Sequence, residues 1–175
     1  MGVDPQPPAP DPHSAAPELA VAPFDAKQAR EHQEAWAKYL GVPVGMSNSS
    51  GMKFVLIPPG EFDMGASEEE VQACIEEGRR LPAGQGGFVV DGAPWQAPRH
   101  RVTITRPFYL GLHEVTQEQY AVVMEENPSK FSSEPSRPVE NMTWDEAREF
   151  CRRLSGVEEE QAAHAAYRLP TEAEW

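Results

Sequence analysis

A chain of 175 residues can bury one core, but only 39% of this one is hydrophobic and 18 of its residues are proline. Its formal charge of −13 argues against nucleic acid or an anionic membrane surface as the main partner, and no apolar run approaches transmembrane length. Two cysteines, Cys74 and Cys151, cannot build a disulfide-dense scaffold; they can pair once or stand as buried thiols. Met1-Gly2-Val3-Asp4-Pro5-Gln6 lacks the basic start and apolar core of a signal peptide, so the expected location is the cytoplasm.

Residues 1–23 hold seven prolines and almost nothing large and apolar, which reads as a disordered tail or linker. Residues 24–48 read as a helix and linker. Asp25 caps, Gln28 closes a capping box, Trp36, Tyr39 and Leu40 form a stripe suited to docking, and Gly41 is a stop. From about residue 49 the composition becomes globular. Lys53-Phe54-Val55-Leu56-Ile57, the turn Pro58-Pro59-Gly60-Glu61, and Phe62 to Met64 predict a β-hairpin over 53–64. Ser67 and Glu70 box a short helix ending near Gly78, with Val71, Cys74 and Ile75 on its inner face. Residues 79–98 read as an irregular loop, whose glycines are not spaced as a phosphate cradle.

His100 to Thr105 alternates as a half-buried strand does, and Phe108-Tyr109-Leu110 is a second strand. Thr116 and Gln119 box a helix carrying Tyr120, Val123 and Met124 inward and ending at Asn127-Pro128. Thr143 and Glu146 open the most regular helix, with Trp144, Ala147, Phe150, Cys151 and Leu154 on one face and Gly156 after it. A polar connection over 157–166 follows. Last comes Tyr167-Arg168-Leu169-Pro170-Thr171-Glu172-Ala173-Glu174-Trp175, where Thr171 and Glu174 form a fifth capping box with about one turn after it. A helix start without a helix reads as the front part of something longer.

No catalytic set assembles from these residues. His100, His113 and His164 show no metal-ligand spacing with one another or with the cysteines, and no Gly-x-Ser-x-Gly is present. Two glycosylation sequons, at Asn48 and Asn141, read as coincidence. Most carboxylates serve as caps or line solvated helix faces. Glu114 is the exception, placed at a strand-to-helix corner ahead of a cap that does not need it.

Four stretches together resemble the formylglycine-generating enzyme family, also called sulfatase-modifying factor. They are Gly51-Met52-Lys53-Phe54-Val55-Leu56-Ile57-Pro58-Pro59-Gly60-Glu61-Phe62-Asp63-Met64-Gly65; Pro98-Arg99-His100-Arg101-Val102 leading to Phe108-Tyr109-Leu110-Gly111; Glu114-Val115-Thr116 leading to Tyr120; and Pro138-Val139 with Trp144-Asp145-Glu146-Ala147 and the terminal nine residues. The resemblance covers residues 51–175, as the N-terminal portion of the family's domain. It implies an α+β domain with little regular structure, related to the C-type lectin fold. It also implies oxidation, by O2, of a cysteine in a sulfatase polypeptide to Cα-formylglycine. The family's copper-binding cysteine pair and most of its calcium ligands lie in a C-terminal half beyond the matched signature. Neither Cys74 nor Cys151 matches the copper pair.

Glu114 matches the Glu of a motif that contributes to a calcium site, and is the one metal-ligand candidate; no catalytic or cofactor-binding residue is assigned. Cys151 aligns with a position that in some members bridges to the C-terminal half. The chain is therefore expected to be inactive alone and to need the C-terminal half, or a second chain, to complete the domain. Bacterial members often lack the copper pair, which leaves a non-catalytic, lectin-like binding or scaffold module as the alternative.

Overall fold

The computed structural model describes residues 1–3, 15–82 and 84–175. In chain order its elements are β1 (Gly2–Val3), β2 (Ala20–Val21), α1 (Ala26–Leu40), β3 (Gly45–Ser47), β4 (Lys53–Ile57), β5 (Gly60–Met64), α2 (Glu68–Arg80), α3 (Gly87–Gly92), a 3-10 turn (Ala93–Gln96), β6 (His100–Ile104), β7 (Phe108–Gly111), α4 (Gln117–Met124), α5 (Trp144–Ser155), α6 (Glu158–Ala162) and β8 (Tyr167–Arg168). Helices and two sheets are thus mixed, compatible with an α+β fold. The chain divides into two units: Met1–Ala20, Phe24–Pro59 and Ile104–Trp175 form one, and Val21–Pro23 with Gly60–Thr103 form the other.

The first unit is built on a five-stranded sheet in the order β3-β4-β7-β1-β8. Each of its ladders is antiparallel: Phe54 faces Gly111, Leu56 faces Tyr109, and Gly2 lies between Leu110 and Arg168. Phe54, Leu56 and Tyr109 on the sheet pack with Trp36 and Leu40 of α1, Tyr120 and Met124 of α4, and Phe150, Cys151 and Leu154 of α5. Tyr120 and Phe150 stack with ring centroids 5.3 Å apart, 9° from parallel. These aromatic and aliphatic groups supply most of the burial that stabilises this unit.

Local capping chemistry places the helices. Asp25, Ser67, Thr116 and Thr143 each accept a hydrogen bond from the backbone N–H three residues on, and Gln28, Glu70, Gln119 and Glu146 reach back. Helix α1 ends at Gly41 in the left-handed region, at φ 68°. Helix α4 stops earlier than Asn127-Pro128, at Met124, because Glu125 itself takes a left-handed conformation.

Several expectations are corrected. The stretch over 53–64 is not a hairpin, for β4 and β5 belong to different sheets. Both edges of β4 are already paired, with β3 and β7, so no edge remains for β5. Trp144 is 64% exposed, and the guanidinium of Arg148 covers its ring at 4.8 Å rather than core side chains. Residues 1–23 are not all tail: residues 2–3 and 20–21 form strands, while residues 4–14 lie outside the described residues.

In the second unit, 79–98 is largely helical rather than irregular. Helix α2 runs on to Arg80, and α3 and the 3-10 turn follow. A Cβ added at Gly86 would lie 1.8 Å from the carbonyl oxygen of Gly78, so these two glycines serve close backbone packing. Val71, Ile75 and Ala93 form the core of this unit, with Cys74 and Val90 against it. Its three-stranded sheet runs β2-β5-β6.

Candidate functional site

A cleft of about 760 Å³ opens in the first unit where the end of β7, the start of α4 and the inner face of α5 converge. The chain leaves β7 at Gly111, turns through Leu112, His113 and Glu114, and enters α4 at the Thr116 cap. That turn is tied on both sides. Leu112 N–H donates to Lys53 O, and Val139 N–H donates to Val115 O. The cleft walls are mainly apolar, from Val115, Val139, Met142, Phe150 and Leu169, with Glu114, His113 and Trp175 at the margin. A smaller pocket of about 140 Å³ shares Met1, His113, Glu114 and Thr116 and adds Lys53 and Gln119.

Glu114 and His113 are both exposed on this turn. The structure places Glu114 at the cleft, and among the described residues no three His, Cys, Asp or Glu side chains gather to hold a metal ion. His100 and His164 are exposed and belong to neither pocket. The amide nitrogen of Asn48 is buried, which removes the acceptor atom of that sequon from solvent.

The two cysteines are free thiols in separate apolar settings. Cys74 packs with the core of the second unit, whereas Cys151 is 2% exposed in the first and lines the cleft. Burial pushes the Cys151 thiol up, against the neighbouring Met1 ammonium, so this sulfur is held in its neutral form. A copper(I) centre of the bis-thiolate kind needs two thiolates converging on one metal. Cys151 packs in an apolar cluster that holds no second cysteine, so that cluster does not supply such a pair.

Gln117 and Glu140 carry no signal in the sequence, whereas Tyr120 faces inward as its helical position predicts. Tyr120 is 1% exposed, and its hydroxyl is buried without a hydrogen-bond partner among the described residues. Burial first, then the charges of Glu146 and Glu126, pushes that phenol up. Gln117, 2% exposed, donates through Nε2 to Phe131 O at 3.1 Å and accepts from Asn127 Nδ2 at 3.0 Å, which fastens the loop bordering the cleft. Glu140 adds to it by accepting from Phe131 N–H.

On α6, Glu160 is 3% exposed and accepts from Ser49 N–H at 2.8 Å, from Ser49 Oγ, and from the Tyr167 hydroxyl. Burial opposes its charge, but these three donors together hold its pKa below the usual carboxylate range. Burial and that same carboxylate push Tyr167 up. Only a polar composition marks this connection in the sequence, because its partner Ser49 lies 111 residues away along the chain.

A family described as the sulfatase-modifying factor enzyme 1-like domain matches residues 42–175. Among curated proteins, a chaperone protein called LppX, from Paenibacillus barcinonensis, is 54% identical over 44 residues. That match spans 25% of this chain and 15% of the relative's length.

Proposed function

Since the chain belongs to the formylglycine-generating enzyme (sulfatase-modifying factor) family, we propose that residues 42–175 frame the site of a sulfatase-modifying-factor-like protein and carry no formylglycine-generating activity by themselves. The observation that supports this is that each thiol lies in its own apolar cluster, neither of which holds a second cysteine. Copper would be held by thiolates outside these residues. Glu114 would supply one oxygen ligand to calcium, a hard cation that wants several such ligands. The protein partner of a completed site is a sulfatase polypeptide, in the cytoplasm, and the fold is related to C-type lectins.

The test incubates the purified chain with copper, O2 and a sulfatase peptide and follows the peptide by mass spectrometry. No formylglycine is expected, and turnover would overturn the reading.

A second reading is a non-catalytic binding or scaffold module. The 44-residue match to a protein named as a chaperone favours it, because chaperoning is a binding activity. Saturable capture of a defined unfolded client by the purified chain, unchanged by chelators, is the expected outcome. Capture that disappears on chelation would count against it.

A further inference from the structure

The sheet of the first unit contains a slot. Strands β7 and β8 do not pair with each other; β1 lies between them and makes both ladders. That strand is only two residues long, whereas β4 and β7 match four residues to four. Gly111 N–H donates to Met1 O at 2.8 Å, which extends the grip by one residue. The stretch that follows in the sequence, residues 4–14, includes five prolines, which carry no backbone donor.

We propose that this slot is a strand-acceptor site for an extended segment of a partner polypeptide, with residues 1–3 as its occupant in cis. Two inner edges, β7 and β8, offer their backbone groups to whatever lies between them, which is the basis of strand addition. The side-chain requirements are legible. At the Gly2 position an added Cβ meets Arg168 Nη1 at 3.6 Å and Phe108 Cδ2 at 3.8 Å, so glycine or a small residue fits beneath the guanidinium. At the Val3 position the side chain is 2% exposed within the core, so a branched apolar residue fits. A partner strand longer than two residues can match more of β7 than β1 does. Met1 also lines both pockets, so exchange at the slot alters the cleft beside Glu114. The inference rests on neither reading of function above.

The test uses the full chain and a fluorescein-labelled octapeptide with Met-Gly-Val at its centre and threonines on each side. The Gly2→Pro variant removes a ladder donor from the cis strand and is expected to bind this peptide at least tenfold more tightly than the unmodified chain. A second variant joins Gly2→Cys to Leu110→Cys, directly opposed residues whose Cα atoms stand about 4.5–5.5 Å apart in any antiparallel pair, within disulfide range. Peptide mapping verifies the bond. Oxidised, this chain should lose binding at least tenfold; reduced, it should regain it. Equal binding by the oxidised and reduced forms, or none by either, overturns the proposal. Light-scattering dimers in the reduced form alone, without peptide binding, overturn the partner assignment in favour of a second copy.

Discussion

Arg168 and Glu174 face each other as a fork, with Nη1 donating to Oε2 and Nη2 to Oε1, each at 2.7 Å. The same carboxylate accepts from Thr171 N–H at 2.8 Å, so Glu174 both closes the terminal capping box and anchors it to β8. The bond from Arg168 is the largest cause holding the Glu174 carboxyl at about 2, against an ordinary 4.5. Because the folded value lies below the unfolded one, the contribution is complete above pH ~4.5 and is lost as pH falls through ~2. Glu174→Gln is expected to cost about 1–2 kcal/mol at pH 7 in urea denaturation, and the gap from the parent chain should close in acid. A gap independent of pH would contradict the assignment.

Glu160→Ala should be more damaging, by about 2–4 kcal/mol, because it leaves the buried Tyr167 hydroxyl without its acceptor and also releases Ser49. Glu160→Gln keeps an acceptor oxygen and should recover part of the loss. Chemical denaturation of the three chains side by side checks this order.

Tyr120 separates packing from hydrogen bonding. Its ring stacks on Phe150 while its hydroxyl has no partner among the described residues. Tyr120→Phe should therefore be neutral or stabilising by up to about 1 kcal/mol, whereas Tyr120→Ala should cost about 3–5 kcal/mol. A Phe variant weaker by more than about 1 kcal/mol would reveal a partner for the hydroxyl.

Gly86→Ala is expected to loosen the second unit selectively, since its Cβ meets the Gly78 carbonyl oxygen. Amide hydrogen exchange should speed up in α2 and α3 while α5 keeps its protection. Uniform acceleration in both units would show that they unfold as one.

Gln117→Leu removes the amide that joins Phe131 O to Asn127 while preserving much of its volume. Residues 127–140 should lose exchange protection, and the chain should lose about 1–3 kcal/mol. Unchanged exchange there would mean that backbone bonds alone hold the loop.

Helix starts were readable because each capping box joins residues three apart, and such chemistry needs no tertiary partner. The position of Glu114, one residue ahead of Val115 and the Thr116 cap, was readable for the same reason. At 167–175 the sequence by itself determined the box of Thr171 and Glu174, and the turn forms as that chemistry requires. It also carried the motifs by which the family is known.

Tertiary structure decided everything that depends on distant partners. Strand β4 could not show in its own residues that β3 and β7 would take both its edges and leave β5 to another sheet. Trp144 lies on the apolar stripe of α5, yet it falls beyond the edge of the packed surface, where Arg148 covers it. Glu160 acquires its role only when Ser49, 111 residues earlier, is brought against it. Residues 2–3, in a stretch whose composition reads as a tail, become strand because β7 and β8 each offer them an edge to pair with. Local rules act through bonds between near neighbours and are written in order along the chain. Edges, burial and charge pairing depend on which surfaces meet, and that is settled only when the whole fold closes.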